Sequence, residues 1–301
     1  MKIALLGGNG YIGSSLYRSL SKNHSVDSYD LCLFGQDLGY SKKVNYRDVN
    51  LSEYDYIVLL SNHSSVQMAE FSPYQAWDNN VEGLKDILLK LHPEQKLIYI
   101  SSGSVYGNNP KLNNENVINW EPVNHYDLTK IVMDVVASKA ISEGKQVVGL
   151  RLGTVNGHSE NLRGDLMVNM MVHSARENGV INLSNGDFYR PILGMRDLVD
   201  GICCIIESDN FICGAYNLAS TNKTIRSIAD LTAEIAGVPV LDHGRKGKTY
   251  DFRLSTDKFS RDYGYKFHLS IGDVVQDLLD NYNVENFTFR KEYNEKLLHR
   301  A

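Results

Sequence analysis

Residues 2–13, Lys2-Ile3-Ala4-Leu5-Leu6-Gly7-Gly8-Asn9-Gly10-Tyr11-Ile12-Gly13, leave the chain few ways to fold. A short apolar run reads as a buried parallel strand, and Ile12, Leu16 and Leu20 follow at helical spacing. Between them stand three glycines in the spacing Gly7-x-x-Gly10-x-x-Gly13, with Tyr11 and Ile12 inside the turn. A strand that turns sharply into a helix gathers free backbone N–H groups and the positive helix end at one point, where a pyrophosphate can sit. Gly7 allows the tight turn, Gly10 the close backbone approach and Gly13 the close helix–strand packing. The motif carries weight because it lies after a strand and before a helix. The next strand, His24-Ser25-Val26-Asp27-Ser28-Tyr29, ends at Asp30, where an acid binds the adenosine ribose hydroxyls of a dinucleotide. A carboxylate there repels a 2′-phosphate, which favours NAD over NADP. The plainer alternative is that Asp30 only opens a loop.

Strands and helices then alternate. Residues 43–48 read as a short strand ending in Asp48, and residues 54–61 as a buried strand. Its exit, Ser61-Asn62-His63-Ser64-Ser65, lies at the carboxyl edge of the sheet, beside the nicotinamide end of a cofactor. A long helix is expected from Pro73, a strand at 96–100 followed by Ser101-Ser102-Gly103-Ser104, a second long helix from near Tyr126, and a strand at 147–152. This alternation implies an α/β fold, a Rossmann-type doubly wound parallel sheet. Residues 1–155 are expected to form the NAD-binding domain with the catalytic residues. Residues 156–301, where the pattern loosens, are expected to form mainly a smaller α/β substrate-binding lobe. Helices are expected near 166–172 and 198–202, over 224–236 with Thr224 as a cap, and over 271–282 before a charged tail.

Composition narrows the partners. A net charge of −5 without a basic stripe gives no sign of nucleic acid or an acidic membrane surface. Cys32, Cys203, Cys204 and Cys213 lack metal-ligand spacing, and Cys203-Cys204 sits in an apolar run. Reduced thiols, no metal and a cytoplasmic protein are the expectation. No apolar run is long enough to span a membrane, and no signal peptide is expected ahead of the first strand.

Tyr126-Asp127-Leu128-Thr129-Lys130 places a phenol and an ammonium four residues apart on one helix face. A tyrosine near its ordinary pKa of about 10 is a poor base at neutral pH. An adjacent lysine cation and a positive nicotinamide ring bring the phenolate into range. Ser102, at the end of a parallel strand, can hydrogen-bond the same substrate oxygen. A Tyr-x-x-x-Lys spacing alone is mostly a solvated helix face; Ser102 and the dinucleotide turn upstream turn it into a catalytic set.

These motifs together resemble an extended short-chain dehydrogenase/reductase of the NAD-dependent epimerase/dehydratase family, most of which act on nucleotide-activated sugars. Gly7 to Gly13 match its glycine motif, and Ser101-Ser102-Gly103-Ser104-Val105-Tyr106-Gly107 resembles its serine strand end. The resemblance implies catalytic roles for Ser102, Tyr126 and Lys130, an adenine contact at Asp48 and a supporting, cofactor-side role for Asn80. It also implies a substrate-diphosphate role for Arg190 in Asp187-Phe188-Tyr189-Arg190-Pro191, and for Arg245. Guanidinium forks suit a diphosphate, although either arginine could instead be a surface ion-pair residue. Ser104 and His63 are taken as substrate contacts; for His63 an added acid/base role and a plain loop position stay open.

Departures from the family pattern bear on the substrate. Family dehydratases carry a Thr-Asp-Glu set where this chain has Gly103-Ser104, which argues against dehydration. Ser61-Asn62 replaces an Ala-Gly or Ala-Ala pair, and Gly153-Thr154 a bulkier pair. The expectation is an NAD-dependent nucleotide-sugar epimerase, acting at C4 through a transient ketone on a nucleotide-diphosphate sugar. The rivals are an NAD(P)H-dependent reductase or dehydrogenase of a 4-keto nucleotide sugar and a non-catalytic dinucleotide sensor. The two long helices resemble those through which family members pair, so a homodimer is expected.

Overall fold

In the computed structural model, residues 1–117, 121–247 and 249–288 are described. Strand β1 (Lys2–Leu6) has Ile3, Ala4, Leu5 and Leu6 all buried, as a parallel strand covered on both faces requires. It pairs in parallel with β2 (Ser25–Tyr29) on one side. The short β3 (Ser41–Lys42) extends that side, and β4 (Tyr56–Leu59) pairs with β1 on the other. Beyond β4 come β5 (Lys96–Ser102), β6 (Gln146–Leu152) and β7 (Gly214–Leu218). The seven strands run β7-β6-β5-β4-β1-β2-β3 and every pairing is parallel. Strand order reverses between β1 and β4, and ligands of such sheets bind in the crevice at the carboxyl ends of the strands there. Strand β7 brings residues 214–218 back into the large sheet, across the division near residue 155.

Helix α1 (Tyr11–Leu20) buries Leu16 and Leu20 against this sheet. The segment expected as one helix from Pro73 is continuous but not uniform. Pro73–Trp77 and α2 (Gly83–Lys90) are α-helical, and Asp78–Glu82 between them is a π-helical turn. Such widened turns mark sites where a side chain must be re-aimed. Helix α3 (His125–Ser142) starts where Asn124 caps it, its side chain accepting the Asp127 amide at 2.9 Å.

The strand expected at 43–48 is absent. Only Ser41–Lys42 pairs with β2, and Tyr46–Asp48 forms a 3₁₀ turn capped by Asn45. Tyr46 causes the change: its ring is buried and its hydroxyl donates to the Asn79 carbonyl at 2.8 Å, in space kept open by Gly83.

Past residue 152, Thr154–Asn156, Tyr189–Gly194 and Thr221–Thr224 form a three-stranded sheet. Helices Met167–Asn178, Ile225–Ala236 and Ile271–Asp280 pack on one another, and Met195–Glu207 packs on α1. Thr224 caps its helix as expected, accepting the Ser227 amide at 3.2 Å. The charged tail begins at the end of the described residues. No helix among the described residues is long and apolar enough to cross a membrane.

Candidate active site

At the carboxyl end of β1, Gly7 adopts φ +95°, open to glycine at little cost. Gly13 lies against the turn so closely that a Cβ would stand 2.6 Å from the Gly8 Cα and 2.7 Å from its carbonyl carbon. Gly10 is the N-cap of α1, and no side chain caps that helix. Its first-turn amides therefore remain open to an anion. At the end of β2, the Asp30 carboxylate accepts the Asn9 amide at 2.9 Å and the Cys32 amide at 2.8 Å, while burial pushes its pKa up. These groups border a cavity of about 280 Å³ whose wall includes Gly7, Gly10, Asp30, Ser61, Asn79 and Lys130. Tyr11, Ile12 and Gly13 line it too.

The cavity fits NAD on observations independent of the motif. Asn62 and His63 line it, and the Asn62 Nδ2 and both ring nitrogens of His63 are buried without a hydrogen-bond partner. Buried polar atoms of this kind are costly unless a ligand pairs with them.

Three expected contacts fall elsewhere. Asp48 is exposed on the 3₁₀ turn and does not line the cavity; Val44, Asn45 and Tyr46 do. Asn80 is fully buried and serves as a buttress. Its side chain accepts the His63 amide at 2.8 Å and donates to the His63 carbonyl at 3.2 Å and to Thr129 Oγ1 at 3.0 Å, while Asn79 faces the cavity. The π turn at Asp78–Glu82 holds both asparagines. His63, expected as a substrate contact, lines this same cavity. Burial, and secondarily the Lys130 charge, hold its pKa down to about 4. It is neutral at physiological pH and unsuited to be a general acid there.

Ser102, Tyr126 and Lys130 meet as expected. Lys130 is 1 % exposed, donates to the Ile100 carbonyl at 2.8 Å and to Asn62 Oδ1 at 3.1 Å, and stands 5.7 Å from the Tyr126 ring centroid. Burial pushes its pKa down to about 7, with Asp134 opposing. Burial raises the Tyr126 phenol above its ordinary range; the Ser102 hydroxyl and then Arg163 oppose this, and Asp127 adds to it. Ser102 Oγ accepts the Ser104 amide at 3.1 Å and lies 2.9 Å from Ser104 Oγ.

A second cavity of about 780 Å³ shares part of this wall, and Ser102, Ser104 and Arg190 line it. Tyr126 borders both cavities. Arg190 is partly buried, and loss of hydration lowers its pKa; its Nε is buried without a hydrogen-bond partner, and its guanidinium lies 5.5 Å from the Tyr250 ring centroid. The surface ion-pair alternative does not apply to it. It does apply to Arg245, whose side chain is 73 % exposed, stands 3.6 Å from Asp187 and does not line the cavity.

Two bordering residues escaped the sequence reading. Arg163 lines both cavities, pairs with Asp165 at 2.8 Å and reaches Ser64 Oγ at 3.2 Å. Tyr250 lines the larger cavity from a loop and donates to the Asp127 carboxylate at 2.9 Å. Neither sits in a spacing motif, so no local signal marked them. Among the described residues, no group of three or more potential ligands could hold a metal ion.

Residues 3–219 match the model of the NAD dependent epimerase/dehydratase family. The chain belongs to this family. It is 28% identical over 296 residues, 87% of this chain and 92% of the relative, to an ADP-L-glycero-D-manno-heptose-6-epimerase of Brachyspira hyodysenteriae. It is 22% identical to a bifunctional UDP-glucose 4-epimerase and UDP-xylose 4-epimerase of Pisum sativum, covering 92% of this chain and 94% of the relative. In fold it is similar to the UDP-glucuronic acid 4-epimerase of Bacillus cereus, solved in complex with UDP-glucuronic acid and NAD. The TM-score is 0.82 at 21% identity, covering 93% of this chain and 98% of that one. Family membership makes NAD the cofactor, in keeping with the open helix end and the acid at Asp30.

Proposed function

We propose that this protein is an NAD-dependent epimerase of a nucleotide-diphosphate sugar, inverting C4 through a transient ketone. The observation that carries the reading is that Tyr126 borders both cavities, with Arg190, whose Nε is buried and unpaired, lining the larger one. NAD supplies the hydride acceptor and donor at the junction. Tyr126, ionised, takes the proton of the sugar hydroxyl and returns it after the ketone has turned. Ser102 holds the same oxygen in both directions. Lys130 keeps positive charge beside the phenol and lowers its pKa when the ammonium is formed. Arg190 pairs with the diphosphate and anchors the nucleotide end while the sugar turns. Gly103 and Ser104 supply no carboxyl group for removing water, which supports epimerisation over dehydration.

The test begins with the purified chain, denatured and assayed for released nucleotide, followed by a screen of nucleotide sugars for isomers. Near-stoichiometric NAD and a C4 isomer support the reading. An isomer inverted at another carbon keeps the epimerase and moves the carbon, and reduction of 4-keto substrates with exchange of NADH overturns it. Arg190→Ala is expected to raise KM for the nucleotide sugar about 10- to 100-fold, the loss of one or two charge-assisted hydrogen bonds. An unchanged KM removes Arg190 from the diphosphate site.

We further propose a homodimer through the helices around α2 and α3, in the cytoplasm. Tyr74 and Leu89, each more than four-fifths exposed, and Val135 give these helices an apolar outer face. The four cysteines are free thiols, which suits a reducing compartment. Light scattering is expected to give twice the chain mass for the native chain and the chain mass for Leu89→Asp. A monomeric native chain rejects the dimer.

A further inference from the structure

The segment Tyr250-Asp251-Phe252 joins the arginine of the larger cavity to the helix that carries Tyr126. On the arginine side, Asp251 Oδ1 accepts the Tyr189 amide at 2.9 Å and the Phe252 amide donates to the Tyr189 carbonyl at 3.3 Å, one residue before Arg190. On the helix side, the Tyr250 hydroxyl donates to both oxygens of the Asp127 carboxylate, at 2.9 and 3.0 Å, and accepts from Asn124 Nδ2. Asp127 follows Tyr126 directly and is 1 % exposed. Burial pushes its pKa up, and the Ser104 and Tyr250 hydroxyls oppose this. Phe252 is buried with Val105, Tyr106 and Leu254, and its ring meets that of Tyr250 edge to face at 6.1 Å between centroids. The Tyr250 ring is thus fixed at its hydroxyl and along its edge, and the Arg190 guanidinium stands over it, 5.5 Å from the centroid.

We propose that Tyr250 is the positioning residue for Arg190, presenting its guanidinium to the substrate diphosphate from a ring anchored on Asp127. The inference rests on reading Arg190 as the diphosphate contact. A guanidinium over an aromatic face is attracted by the ring electrons, and that contact consumes none of its N–H donors. A carboxylate partner would hold the same charge but occupy the donors that a phosphate needs. Arg190 Nε is buried and unpaired beside the ring, a costly state that an incoming oxyanion relieves. Asp127 in turn ties the ring to the first turn of α3. The diphosphate contact and Tyr126 are therefore held at a fixed span, and that span sets which sugar carbon reaches the phenol. Tyr250 acts through Arg190 and touches no reacting atom.

The test measures, by calorimetry on the NAD-loaded chain, the affinity for UDP, ADP, GDP and inorganic pyrophosphate, the last carrying the diphosphate whatever the base. Tyr250→Leu is expected to weaken the best-bound probe about ten-fold, as the loss of a desolvated cation–ring contact does. Tyr250→Phe keeps the ring and is expected to stay within about three-fold of the native chain. In an Arg190→Ala background, Tyr250→Leu is expected to add less than about two-fold, because the ring then has nothing to place. NAD affinity, followed alongside, should not change, since Tyr250 lines the larger cavity and not the smaller. An equal loss in both backgrounds marks a general disturbance of the cavity and overturns the proposal. So does a Tyr250→Phe chain as weak as Tyr250→Leu. Native affinity in Tyr250→Leu, with a loss in Arg190→Ala, removes the positioning role alone. If Arg190→Ala binds every probe as the native chain does, or the native chain binds none, the diphosphate reading itself fails and the proposal falls with it.

Discussion

Tyr126→Phe is expected to lower turnover by about 10²- to 10⁴-fold, the usual contribution of a positioned general base. NAD affinity should stay within about ten-fold, since at most one neutral hydrogen bond is lost. The separation of effects follows from the site. Tyr126 lines both cavities, whereas Gly7, Gly10, Gly13, Asp30 and Lys130 line only the smaller one. The phenylalanine ring keeps the packing against Lys130, so folding should be unaffected. Turnover by single-turnover kinetics and NAD binding by equilibrium dialysis check both halves. Retained turnover would remove Tyr126 from the chemistry. Loss of NAD binding with unchanged folding would make it a cofactor ligand first.

The second large effect is expected at Gly13. An alanine methyl there meets backbone on its near side, with the Gly8 Cα at 2.6 Å and the Gly8 carbonyl carbon at 2.7 Å. A flexible side chain could move aside; a backbone turn clamped between β1 and α1 cannot do so without shifting. Overpacking of this kind costs about 1–3 kcal/mol, only partly offset by the better helix propensity of alanine. The group displaced is the turn expected to receive the pyrophosphate, so NAD affinity should fall by at least about ten-fold. Denaturant unfolding and NAD titration of Gly13→Ala test the two parts. Unchanged stability and affinity would mean the turn accommodates a Cβ. Gly10→Ala is the contrast, because its Cβ would meet only the Gly7 carbonyl oxygen, at 3.6 Å.

Where the sequence reading went astray, the cause was long-range packing. Residues 43–48 have the composition of a strand, but Tyr46 finds the Asn79 carbonyl and the space at Gly83, and the segment turns instead. That turn carries Asp48 away from the cavity. Asn80 and Asn79 are indistinguishable as neighbours in sequence. Their roles separate because a π turn aims one at the loop backbone of His63 and the other at the cavity. His63 and Arg245 occupy positions that spacing alone could not place. One is buried among cofactor-side groups, and the other is exposed beside Asp187.

Local features were sufficient where chemistry depends on neighbours in the chain. The glycine turn, Asp30 at the next strand end, and Tyr126 with Lys130 one helical turn later are all set by residues a few positions apart or by strand register. The caps at Asn124 and Thr224 depend likewise on the residues they precede. Periodicity then dictated the parallel sheet, because a strand apolar on both faces must be covered on both. Contacts between segments distant in sequence were decided only in three dimensions. Strand β7 returns to the sheet, Arg190 lies over Tyr250, and Tyr250 reaches Asp127 from 123 positions away. No spacing rule encodes such contacts, since they join segments far apart in the chain. Backbone propensity and period act locally, whereas the burial that tunes Lys130, Tyr126 and Asp127 comes from the whole packed molecule.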